Sequence, residues 1–144
     1  MMNSELGILE VGTATSPKGE VSIAKPLPKD IRKRSFAYSL RAIRLHQSLQ
    51  SKKDSTGWIS GRQFLRAATA IGANVEEAQS GESRADFIHK LGIAQKEARE
   101  SLYWLRLLSE SGIVPRSTLE SLISETEELI AVITAIIVKS KGGR

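Results

Sequence analysis

Along most of the chain, apolar residues return at intervals of three and four, the period of a helix with one buried face, and four such segments stand apart. The first is expected from Asp30, a suitable N-cap, to about Ser51. Phe36, Leu40 and Ile43 fall on one of its faces, while Tyr38, Ala42, Leu45 and Leu49 fall nearly opposite. A helix with two apolar stripes needs two burial partners. The run KKDSTGW then breaks the pattern as a loop does, and a second helix is expected from about Ser60 to Ser80. Its stripe is Phe64, Ala68, Ile71 and Val75, with Ala67 and Ala78 alongside. Gly72 costs about 1 kcal/mol of helix propensity against alanine, so its place on this small-residue face implies close approach by a neighbour.

The turn at Ser80, Gly81 and Glu82 leads to Ser83, which caps a third helix and has Asp86 three positions on, a shorter relative of the capping box. This helix, Arg84 to about Ser111, carries Phe87, Leu91, Ala94, Ala98, Leu102 and Leu105 on one face and Ile93, Tyr103, Trp104 and Leu107 behind; Gly112 ends it. Pro115 opens the last segment, and Ser117 or Thr118 is the expected cap. The fourth stripe is Leu122, Thr126, Leu129, Ile130, Ile133 and Ile137, and Ala131, Val132, Ala135 and Ile136 make the helix apolar nearly all round toward its end. Four helices with short links and no strand pattern define an all-α, antiparallel up-down-up-down four-helix bundle. The surplus stripes on helices one and three and the end of helix four predict burial against further copies of the chain.

A length of 144 residues suits one domain. Residues 1–29, rich in Gly, Ser, Thr and Pro (GTATSPKGE, KPLPKD), are expected as a flexible tail; GEVSIAK within them has no sheet to join as a strand. Residues 30–140 form the bundle domain, and residues 141–144 are expected as a disordered C-terminus. No signal-peptide pattern opens the chain, and the longest apolar stretch, Leu129 to Val138, falls short of the ~20 residues that cross a bilayer. Cytoplasmic location without membrane attachment is the expectation. The absence of cysteine and the presence of only two histidines give a metal or other cofactor no evident footing.

A formal net charge of +5 favours an acidic partner such as nucleic acid. Basic residues gather at the start of the fold, Lys29, Arg32, Lys33 and Arg34, followed by Arg41, Arg44, Lys52, Lys53 and Arg62. Such a cluster can neutralise several phosphates, and with no base-reading module beside it any contact is to backbone or shape. A solvated helix face is the plainer account of the same residues. On helix two, Gln63, Arg66, Asn74 and Glu77 project from the core stripe, and Arg66 and Glu77 are placed to reach Glu97 or Glu100 on helix three. Pairs of this kind fix helix register or subunit contacts; as metal ligands the carboxylates would lack the Glu-x-x-His pairs of bundle di-iron sites. Arg41 with His46, and Arg84 with His89, each spell Arg-x4-His, a spacing similar to that of HEPN ribonucleases. In that chemistry His serves as base for the ribose 2′-hydroxyl while Arg stabilises the charged phosphorane.

The stretch GWISGRQFLRAATAIGANVEEAQSGESRADFIHKLGIAQKEARESLYWLRLLSESGIV, Gly57 to Val114, resembles the four-helix-bundle proteins first described as encoded by intervening sequences in bacterial 23S rRNA genes. The resemblance is carried by Gln63, Arg66, Thr69, Ile71, Gly72, Ala73, Asn74, Glu77 and Ala78, then by Ser83, Asp86, Phe87, Ile88, Lys90, Ile93, Ala94, Lys96, Glu97, Glu100, Tyr103, Trp104, Leu105 and Leu108. Coverage extends over about Asp30 to Val138. The resemblance implies homopentameric rings. It also implies fold kinship with the accessory variability determinant of diversity-generating retroelements, a basic pentamer that binds nucleic acid and a reverse transcriptase. It implies no enzyme. The function expected is therefore a non-catalytic homo-oligomeric scaffold for RNA or DNA, or for a nucleic-acid enzyme such as a reverse transcriptase. A metal-independent ribonuclease and a purely structural protein-interaction module are the alternatives.

Overall fold

A computed structural model of the chain describes residues 29–50 and 54–142, with the side chains of Lys29 and Asp30 outside the description. The expected N-terminal tail before Lys29, the strand-like GEVSIAK and the cap role of Asp30 lie outside the described residues. Four helices are formed, α1 (Lys29–Gln50), α2 (Ser55–Gln79), α3 (Arg84–Glu110) and α4 (Arg116–Gly142), and no strand occurs among the described residues.

Local chemistry sets the helix ends. The α2 helix begins at Ser55, about five residues before the expected start, because the Asp54 carboxylate accepts from the backbone N–H groups of Thr56 and Gly57. Gly57, expected in the loop, is buried inside the helix, as is Gly61. A Cβ at Gly57 would lie 2.9 Å from the Ile113 side chain, and one at Gly61 2.7 Å from Leu49, so each glycine marks a close approach. Ser83 caps α3 through the Asp86 N–H, as expected. Gly112 takes φ 81°, and Gly112 and Val114 donate back to the carbonyls of Ser109 and Leu108, which closes the end of α3. The expected caps Ser117 and Thr118 instead stand inside the first turn of α4. Pro115 cannot donate, but its carbonyl accepts the Thr118 N–H and starts the helix one step earlier. The α4 helix continues through Gly142, into the segment expected to be disordered, and Lys139 and Lys141 in its last turn favour the carbonyl end of the helix dipole.

The helices form a four-helix bundle around one core, in which Tyr38, Phe64, Ile71, Leu91, Leu105, Leu108, Leu119, Leu129 and Ile133 are fully buried. Gly72 lets α1 come close: a Cβ there would meet the Ser35 carbonyl oxygen and the Ser39 hydroxyl at 3.3 Å. Tyr38 of α1 packs edge-on to Phe64 of α2 at 6.2 Å. Arg32 near the start of α1 pairs with Glu76 near the end of α2, and Arg84 at the start of α3 donates to the Ser140 carbonyl near the end of α4. Between α3 and α4, Gln95 donates to the Thr134 hydroxyl at 2.7 Å. The α1 and α4 helices meet through polar groups to an unusual degree. The Tyr38 hydroxyl is paired with the Thr126 hydroxyl in the core, where Thr126 itself donates to the Leu122 carbonyl.

One of the two stripes on α1 faces the core, whereas in the other Leu40 is half-buried between two exposed residues. Tyr38, Ala42 and Leu49 join the core; Phe36 is 63% exposed and Ile43 38% exposed. On α3, Leu102 is only half-buried and Ser101 takes a fully buried place beside Leu105, while Leu119 adds an unexpected core residue at the start of α4.

Burial raises the pKa of the Tyr38 phenol, so the group is a neutral donor or acceptor at neutral pH. Thr126→Val removes a hydroxyl partner without changing shape. Urea denaturation is expected to show a loss of about 1–2 kcal/mol for Thr126→Val alone, and a smaller coupled cost when Tyr38→Phe is added, because the second change removes the stranded hydroxyl.

Candidate functional site

The basic cluster of α1 is largely occupied within the bundle. Arg32 donates to both carboxylate oxygens of Glu76, at 3.0 and 3.4 Å. Arg34, about a quarter exposed, makes a two-pronged contact with Glu125 at 2.9 and 3.0 Å and reaches Glu128 at 3.1 Å. Arg41 donates to the Ser121 hydroxyl at 2.8 Å, and burial pulls its guanidinium below the ordinary value, with Glu125 and then Tyr38 acting in the opposite direction. Lys33 stands exposed and Arg44 half-buried, each with interactions of its own. Arg62 belongs to α2, where its guanidinium lies 5.1 Å over the Trp58 ring. The side chains of Lys29, Lys52 and Lys53 lie outside the described residues.

The polar group on α2 and α3 divides into separate parts. Arg66 bridges Glu97 at 3.2 Å and Glu100 at 2.7 Å, as expected. Glu77 joins neither carboxylate. It faces Lys90 at 2.8 Å, because Glu77 lies three turns beyond Arg66 toward the α2–α3 link. Asn74 bonds back to the Ala70 carbonyl of its own helix, and Gln63 is exposed. Arg66 is about half exposed, so these pairs lie at the surface and hold orientation more than they add stability. From Glu100 the contacts continue: the Trp104 indole N–H donates to the same carboxylate at 3.0 Å, and Tyr103 packs edge-on to Trp104 at 5.2 Å. Hydrogen bonds from Trp104, then from Arg66, lower the Glu100 pKa. The hydrogen bonds that Arg66 donates to Glu100 and then to Glu97 raise its own pKa.

The two Arg-x4-His pairs are not drawn into a common site. Arg41 turns to Ser121 of α4, whereas His46 lies beside Trp58 of α2, ring centroids 6.3 Å apart, with its Nδ1 buried and unpartnered among the described residues. A five-residue step on a helix turns the second side chain about 140° from the first, which sends the two members to different neighbours. Arg84 is held by the Ser140 carbonyl, and His89 is exposed. Among the described residues no group of three or more His, Cys, Asp or Glu is placed to hold a metal ion, and no helix is long and apolar enough to cross a membrane.

Four helices around one core, with surface arginines locked into carboxylate forks, define a small four-helix-bundle protein. The model of the 23S rRNA-intervening sequence protein family matches residues 29–135, and the chain belongs to that family. It is similar to the crystal structure of a protein with unknown function from the S23 ribosomal protein family of Bacteroides thetaiotaomicron, with a TM-score of 0.68 and 36% identity. The match covers 74% of this chain and 97% of that one. No curated protein matches the chain.

Two measurements check these assignments. Because its folded-state pKa is depressed, Glu100 contributes stability above the carboxylate's unfolded pKa of about 4.3, and that contribution is lost as pH falls through the lower folded value. A carboxyl-detected NMR titration is expected to place Glu100 below the ordinary range in the native chain and to move it up in Trp104→Phe. For Arg34→Gln, which leaves two carboxylates facing each other, denaturation is expected to show a loss of about 1–2 kcal/mol, the signature of a structural arginine.

Proposed function

We propose that the protein is a non-catalytic, homo-oligomeric scaffold, an antiparallel up-down-up-down bundle assembled as a pentameric ring in the cytoplasm. It binds the backbone of RNA or DNA, or a nucleic-acid enzyme such as a reverse transcriptase. The observation that carries this reading is the outer face of α1. Phe36, Leu40 and Ile43 recur there at helical spacing, and Phe36 is 63% exposed in the single chain. Isolated exposed apolar residues are ordinary, but a continuous stripe on a helix whose opposite face already fills the core favours burial against another copy. A net charge of +5, repeated in each copy, supports an acidic partner, since linked weak sites multiply in affinity. The separation of Arg41 from His46 supports a binding role over catalysis.

Light scattering of the native chain is expected to give an assembly of roughly five subunits, and Phe36→Glu to give a monomer that keeps its helical circular dichroism. A native monomer would overturn the scaffold. In a salt titration the affinity for structured RNA should fall steeply, as counterion release requires. Cleavage of that RNA without metal, lost in His89→Ala, would overturn the non-catalytic assignment.

A further inference from the structure

The α3 helix turns one face to the core through Leu91, Ala94, Ala98, Ser101, Leu105 and Leu108, and the face directly opposite carries Lys96, Arg99, Tyr103 and Arg106. All four are exposed, Tyr103 by 56%. Their spacing of three, four and three residues places them in one row about 15 Å long, a ring flanked on both sides by cations. Arg99 has no partner among the described residues, and Arg106 meets only Glu110, at 3.9 Å in an exposed pair one turn away that contributes little. This differs from α1, where Arg32 and Arg34 are taken up by Glu76, Glu125 and Glu128.

We propose that this row on α3 is a binding strip for single-stranded nucleic acid, with Lys96, Arg99 and Arg106 on phosphates and Tyr103 stacking on an unpaired base. The proposal rests on the nucleic-acid reading above and assigns it a place different from the α1 cluster. Two further features of the structure fit it. Tyr103 is braced: its ring packs edge-on to Trp104, Trp104 donates to Glu100, and Glu100 is held by Arg66. A braced ring loses little freedom on stacking, and the Arg66 contact offsets the negative charge of Glu100 beside the ring. Gly92 lies on the same face one turn before Lys96, and a Cβ there would meet nothing within 4 Å. A glycine inside a helix costs about 1 kcal/mol against alanine, and here no neighbour in the chain gives it a packing role, so the face is left open for close approach from outside.

The test is fluorescence anisotropy of the full chain with a labelled oligouridylate of roughly 20 nucleotides, and with a duplex of equal length, across a range of salt. For the single strand, Arg99→Glu with Arg106→Glu is expected to weaken binding at least tenfold and to make the slope of log affinity against log salt shallower by about 1.4, two phosphate contacts at ~0.7 each. Tyr103→Ala is expected to weaken single-strand binding about tenfold, Tyr103→Trp to restore it, and duplex binding to be unmoved by either. Native binding with unchanged affinity and slope in the double variant and in Tyr103→Ala would overturn the strip while leaving the nucleic-acid reading intact. Absence of native binding to either probe would remove both. Loss of self-association in these variants, read by light scattering, would make the face a contact between copies and overturn the strip as well.

Discussion

Closure of the bundle depends on α1 meeting α4, two helices from opposite ends of the fold that share no connecting link, and the contact between them is built on a phenol in the core. Tyr38 is fully buried, and its hydroxyl finds the Thr126 hydroxyl, with Ser101 of α3 close by. An unsatisfied buried hydroxyl is costly, so only a rotation and register that bring Thr126 and Ser101 to Tyr38 are tolerated. The choice of Tyr38 for the inside also decides what lies outside: once that face of α1 is turned inward, Phe36 and Ile43 are carried to the surface. The apolar stripe that supports self-association is thus a consequence of a polar requirement in the core.

The same closure accounts for the arginines of α1. Glu125 immediately precedes Thr126 and Glu128 follows two residues later, where Arg34 reaches them, and the planar guanidinium matches a carboxylate with two parallel bonds. On α3, by contrast, Arg99 and Arg106 leave a helix whose nearest acids are already spoken for by Arg66 or sit weakly along the same face. The two basic surfaces therefore differ in what they offer to a partner.

Much of this was legible in the sequence. Phe64, Ile71, Leu91, Leu105, Leu129 and Ile133 announce the core because a period of 3.6 residues leaves little choice of inward face. On α1 the period is ambiguous: both faces are apolar, and hydropathy alone ranks Phe36 above Tyr38 for burial. The deciding partner, Thr126, is 88 residues away and becomes adjacent only in the fold. The reading of the basic cluster met the same difficulty, since Glu76 and Glu125 lie 44 and 91 residues from their arginines. The row on α3 carries a signal of its own in the sequence. Lys96, Arg99 and Arg106 recur at helical spacing around Tyr103, but with Ile93, Trp104 and Leu107 nearby the ring reads as part of an apolar rear face.

The links between successive helices are only a few residues long, whereas the seam between α1 and α4 joins residues 88 positions apart. Loop closure over that distance has a larger entropic cost than any pairing of adjacent helices, so the seam is the contact of the bundle that short links do the least to bring about. The α1 side of that seam also carries the apolar stripe, so the way the seam closes fixes which apolar side chains the chain leaves at its surface.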